Sequence, residues 1–159
     1  MNSFQHPATV TGRAELLKFS YVALAIGAAE LAPELVTLEN ILGENFEELT
    51  RNRRLRDGGS DFHATIVLPK EFRKLKKSAS GGRIEIPSKE FALEITGIGT
   101  VVSEASQTWF AIARSEAVAA YRKRLELPAH DLHITLAFEA AGDVHGVPKD
   151  ASTLLITTR

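Results

Sequence analysis

Two short segments of the chain share one local design, His63-Ala64-Thr65-Ile66 and His133-Ile134-Thr135-Leu136. In a strand successive side chains alternate faces, so His63 and Thr65 project to one side while Ala64 and Ile66 pack into the other. The same holds for His133 and Thr135. Each copy therefore offers an acid–base group with a hydroxyl donor about 6 to 7 Å further along. Facing one another, two such pairs suit a phosphodiester. Histidine titrates near about pH 6.5, so one ring can be neutral and accept a proton from the nucleophile while the other is charged and gives one to the leaving oxygen. The hydroxyls can donate to non-bridging phosphate oxygens and hold the charge that grows in the transition state. This chemistry calls for no metal and no other cofactor.

Such pairs act only where the fold carries both to one place, and the apolar pattern predicts the elements that would do so. Tyr21-Val-Ala-Leu-Ala-Ile26, closed by Gly27, reads as a strand over about 19–27. From Pro33 onward Leu35, Leu38, Leu42 and Phe46 recur at spacings of three and four, on one face of a helix running to about Arg53, with Gly43 marking a kink or a break. Asp57-Gly-Gly-Ser60 is a loop, and His63 to Leu68 is a strand stopped by Pro69. Glu71 to Lys77 forms a short basic helix, and Ser78-Ala-Ser-Gly-Gly82 is a flexible connector near the midpoint. Phe91 to Val102 and Thr108 to Ala113 read as strands, the first holding Thr96-Gly-Ile-Gly-Thr100, a bulge or a close backbone approach. Ser115 caps a helix with Val118, Tyr121 and Leu125 on one face, ending before Pro128. Asp131 to Phe138 and Ser152 to Thr158 are strands. Each half thus runs strand, helix, then a strand with His-x-Thr, an echo in kind with few local identities.

Composition narrows the function classes. The 159 residues are 44% hydrophobic and 25% charged, which fits one compact soluble domain, or two small lobes sharing one core, and argues against disorder, collagen and coiled coil. With 19 Lys and Arg against 20 Asp and Glu, nucleic-acid binding must come from a local patch. Ten Lys or Arg lie between Arg51 and Arg83, against Asp57, Asp61 and Glu71, on both sides of the first motif, where they read as a solvated surface or a track for an RNA backbone. Glu30, Glu34, Glu39, Glu44, Glu47 and Glu48 on the preceding helix form a face that should repel nucleic acid. The absence of cysteine removes disulfide scaffolds, thiolate zinc sites, iron–sulfur clusters and thiol nucleophiles, and fits a reducing compartment. The apolar stretch from Phe19 to Leu42 is interrupted by Glu30, Pro33, Glu34 and Glu39 and does not span a membrane. Residues 1–18 do not read as a secretory signal, so the expected location is cytoplasmic.

The paired His63-x-Thr65 and His133-x-Thr135, each followed by an apolar residue and set in this order of elements, resemble the two-histidine (2H) phosphoesterase superfamily. That superfamily includes the RNA 2′,3′-cyclic phosphodiesterases, often labelled 2′-5′ RNA ligase-like, and the cyclic phosphodiesterase domains of tRNA ligases. The resemblance spans about residues 19–158. It implies an α+β, bilobed fold in one domain, with two antiparallel sheets around a central cleft, helices outside, and lobes of about 19–82 and 83–159. It further implies metal-independent opening of a 2′,3′-cyclic phosphate to a 2′-phosphate, on RNA ends or cyclic nucleotides. The catalytic residues would be His63 and His133, with Thr65 and Thr135 binding phosphate. In this reading His133 activates water and His63 protonates the departing 3′ oxygen.

Further residues are candidates for substrate binding. Asp143-Val-His-Gly-Val-Pro-Lys-Asp150 reads either as a polar turn or as a segment that brings His145 and Lys149 to the cleft mouth. There Lys149 could meet a phosphate and His145 a base. Arg56 and Lys70 come from the basic cluster beside the first motif. Trp109, at the start of a strand, reads as core, with holding a base as the alternative. His130 and His133, three apart, point to opposite faces if both lie in a strand, so a shared site needs His130 in a loop. His6 stands in a segment too short to interpret. Two other functions remain open to the sequence: a nucleotide or RNA-end binding module with little catalysis, and a zinc hydrolase built on His63, His133, His145 and a carboxylate.

Overall fold

Alternating and three-four spaced apolar residues sort the chain into strands and helices, which a computed structural model describes for residues 9–78 and 84–159. Among the described residues are seven strands: β1 (Thr9–Leu17), β2 (Tyr21–Ile26), β3 (Phe62–Val67), β4 (Glu90–Val102), β5 (Gln107–Arg114), β6 (Leu132–Phe138) and β7 (Leu154–Thr157). The helices are α1 (Ala32–Leu42), α2 (Phe46–Asp57), α3 (Pro69–Ser78) and α4 (Glu116–Arg124). His6, most of the connector near the midpoint, and Arg83 lie outside the described residues.

The mixture of helix and antiparallel strand is α+β. The strands run in the order β1-β2-β3-β6-β5-β4-β7, and β1 also pairs with β4, so the sheet closes into a barrel-like ring. Where two separate sheets are expected, hydrogen bonding joins all seven strands. Closure depends on the length of β4, which pairs with β1 through Glu90–Glu94 and with β7 through Gly97–Gly99. The register shift of β4 falls between Ile95 and Gly97, within the segment expected to bulge. A Cβ on Gly97 would strike the backbone of Ile156, so glycine is what lets β7 dock there.

The helical stretch expected from Pro33 to Arg53 breaks at Gly43, the position marked for a kink or a break: α1 and α2 are separated where Gly43 turns to a φ of +56°. Leu38 is fully buried, and Leu35, Leu42 and Phe46 pack against the same core. Strand β1 has no counterpart in the sequence reading. α4 begins as expected, with Ser115 Oγ accepting the Val118 N–H at 3.1 Å. α2 lies against β6, where the Asn52 side chain donates to the Phe138 carbonyl at 2.9 Å.

One apolar cluster draws on β1 to β6 and on α1, α3 and α4, including Leu24, Leu38, Phe72, Ala64, Trp109, Val118 and Ile134. A second, smaller cluster of Val101, Phe110, Ile112 and Val144 lies apart from it. Two charges expected at the surface are inside. Glu34 is fully buried and accepts from the Arg159 guanidinium at 2.7 and 3.3 Å, so it does not belong to the outer acidic face. Arg53 is 2% exposed, lies 3.9 Å over the Phe62 ring and donates to the Asp61 carbonyl at 2.7 Å, which removes it from the basic surface. Among the described residues no helix is long and apolar enough to cross a membrane.

Candidate active site

β3 and β6 run antiparallel and pair at Ala64 and Ile134, the middle residues of the two motifs. That register, extended one step each way, sets His63 beside Thr135 and Thr65 beside His133. Ala64 and Ile134 are fully buried in the main core, so the four polar side chains all stand on the other face. Each histidine neighbours the hydroxyl of the opposite motif, and the two histidines sit on a diagonal of about 7 to 8 Å.

The flanking strands complete the floor. β2 puts Ala25 opposite His63 and Ala23 opposite Thr65, while β5 puts Ile112 opposite His133 and Phe110 opposite Thr135. The Phe110 and His133 rings meet edge to face, centroids 5.8 Å apart at 72°. A cavity of about 440 Å³ opens over this floor. Its walls include both motifs, Lys18 and Tyr21 from the β1–β2 hairpin, Arg56 and Asp57 from the end of α2, and His130. The loop after β6 adds Asp143, His145 and Lys149. A larger hollow of about 600 Å³ lies elsewhere, beside Ala92 and Ser115, and its Glu94 and Arg114 neutralise each other at 2.6 Å. It holds no acid–base pair of the kind the motifs supply.

Asp143 organises the charges around the cavity. Its carboxylate, 4% exposed, accepts from Arg56 at 2.6 Å, Thr108 Oγ1 at 2.9 Å and Lys149 Nζ at 3.1 Å. Burial alone would raise the Asp143 pKa, but Lys149, Thr108 and Arg56 outweigh it and hold the group ionised. Lys149 is itself buried and stands 5.9 Å over the Phe110 ring. Desolvation, followed by the positive charge of Lys149, lowers His133 to about 4, so this ring is neutral at neutral pH.

The structure brings His63, Thr65, His133, Thr135, His145, Lys149 and Arg56 to one cavity. Arg56 arrives already engaged, by Asp57 at 2.8 Å as well as Asp143. Lys70 stands outside it, exposed on the first turn of α3 next to Pro69, which does line the wall. Trp109 is buried in the main core because it faces the opposite side of β5 from Phe110.

His130 does lie in a loop, since β6 begins at Leu132, and it joins the cavity wall. Burial and the Arg122 cation lower its pKa, outweighing Glu71 and Asp131, which raise it. Sequence reasoning passed over Lys18, Tyr21, Thr108 and Asp143. Only Asp143 carried a signal, its place in the segment that holds His145 and Lys149.

Behind the cavity, Arg122 of α4 is 3% exposed and donates to both Glu71 oxygens at 2.8 Å. It also reaches the Ile66 carbonyl at 2.9 Å and the Pro128 carbonyl at 2.7 Å. One guanidinium thus fastens α3, the end of β3 and the loop ahead of His130. Among the described residues no three His, Asp or Glu side chains gather as ligands for one metal ion, so the alternative zinc set is not assembled.

Residues 20–145, a stretch containing both motifs, match the family described as Swiss Army Knife, 2H phosphoesterase domain. No curated protein and no solved structure matches the chain.

Proposed function

Because the chain belongs to the 2H phosphoesterase family, we propose that it opens a 2′,3′-cyclic phosphate, at an RNA end or on a nucleotide, to a 2′-phosphate. The reaction needs no metal. Neutral His133 takes a proton from water as the water oxygen bonds to phosphorus. The bond from phosphorus to O3′ breaks, and protonated His63 delivers its proton to that oxygen. Thr65 and Thr135 donate to the non-bridging oxygens, where negative charge accumulates in the transition state. Lys149 and Arg56 offset the charge of the bound anion, while Asp143 keeps both cations in place. A phosphate anion arriving beside His133 partly cancels the influence of Lys149 and so strengthens the ring as a base.

The observation that carries this reading is the Ala64–Ile134 pairing, which gives each histidine the other motif's threonine as neighbour. The test is incubation, in chelator, with a short RNA ending in a 2′,3′-cyclic phosphate and with 2′,3′-cyclic mononucleotides. The expected product carries phosphate at the 2′ position and a free 3′ hydroxyl. Absence of turnover in chelator, or a 3′-phosphate product, overturns the proposal.

A further inference from the structure

The hairpin joining β1 to β2 is tight, with Leu17 paired to Tyr21 and the Ser20 N–H donating to the Leu17 carbonyl at 3.0 Å. Its tip holds two consecutive residues of positive φ, Lys18 at 50° and Phe19 at 54°. Glycine, asparagine and aspartate occupy that region readily and a bulky aromatic does not. Phe19 is also 86% exposed, the most exposed large apolar side chain among the described residues. Neither local conformation nor core packing accounts for a phenyl ring here. Its position offers a reason, because Lys18 and Tyr21, which flank Phe19 and Ser20, line the cavity with the four motif side chains, while the Phe19 ring stands outside that lining at its edge. The same rim carries Leu68 and Pro69, so it is apolar beside a polar floor.

Resting on the phosphodiesterase reading, we propose that the Lys18–Tyr21 tip is a subsite for the aromatic base of a nucleotide whose phosphate occupies the motif floor. Phe19 is the stacking platform, and Lys18 adds a cation to the wall of the cavity that takes the phosphate. Stacking accepts any base, since every base has a π-face, and it requires a ring that is open to solvent before the ligand arrives. The substrate class is then a nucleotide or an RNA end, and a small phosphodiester lacking an aromatic ring gains nothing from the tip.

The test is equilibrium binding of a nucleoside 2′-monophosphate and of inorganic phosphate, measured without turnover. The native protein should hold the nucleotide roughly ten-fold or more tighter than phosphate, the scale of one base stacked on one ring. Phe19→Ala should remove most of that difference and leave phosphate binding unchanged, and Phe19→Trp should keep it. Phe19→Asn suits the positive φ, so its thermal midpoint should equal or exceed that of the native protein while the nucleotide preference is lost. That variant separates the binding role from folding.

Equal affinity of the native protein for the two ligands overturns the subsite, as does a nucleotide affinity that Phe19→Ala leaves intact. Loss of phosphate and nucleotide binding by the same factor in Phe19→Asn also overturns it. A protein that shows the Phe19 effect yet turns over no cyclic phosphate refutes the catalytic reading alone. One that turns it over with Phe19→Ala indifferent refutes the subsite alone.

Discussion

The two His-x-Thr strands carry the same motif, and the sheet gives them unlike neighbours. The β3 motif lies beside Ala23 and Ala25, whereas the β6 motif lies beside Ile112 and Phe110. Burial there, together with the Lys149 charge that outweighs Asp143, drives His133 to about 4. In the reaction proposed above, the ring that its surroundings keep neutral is the one that takes the proton, so on that proposal residues outside the motifs choose the base.

The comparison breaks most sharply if the histidines are removed. His63→Ala and His133→Ala should each slow cyclic phosphate opening by roughly 10² to 10⁴, the range for losing one acid–base group. Wild-type turnover in either variant, measured in single-turnover reactions, ends the pairing. Thr65→Ala and Thr135→Ala should each cost about 10² through weaker transition-state stabilisation. Double-mutant cycles sharpen the cross-strand register: Thr65 should couple to His133 more strongly than to His63, and Thr135 the reverse.

The depressed His133 predicts a pH effect on folding. In the unfolded chain this residue takes up a proton near about pH 6.5, but in the fold only near about pH 4. Between those values the unfolded state holds more protons, so stability rises with pH across the window and is lost as pH falls through it. The contribution is on the order of 3 kcal/mol at most. Urea denaturation at several pH values should show it, and His133→Gln should flatten that part of the curve. The smallest effect belongs to Lys70, which sits outside the cavity. Lys70→Ala should leave a cyclic mononucleotide unaffected and weaken a longer RNA only a few-fold, a difference that disappears at high salt.

The motif strands were legible because alternation settles both the fold of the segment and the face of each side chain. Strand β1 was not, because its inward positions Val10, Gly12, Ala14 and Leu16 include two residues with little apolar signal. Gly43 disclosed the break between α1 and α2, since a positive φ is a backbone demand that one residue can announce. Charged interior residues gave no such notice. Glu34 is buried because Arg159, 125 positions away, meets it, and Asp143 gathers Arg56 from 87 positions away and Thr108 from 35. His130 turned on a boundary: a strand beginning at Leu132 frees it from the alternation that would have sent it to the far face.

The Arg122 guanidinium makes α4 a mechanical part of a cavity it does not line. Were that cation lost, a carboxylate on Glu71 and the carbonyls of Ile66 and Pro128 would lose a partner together. Slack would then appear in the strand that presents Thr65 and in the approach to His130. The site is therefore vulnerable to damage on the reverse side of the sheet, where no contact with a ligand would reveal it.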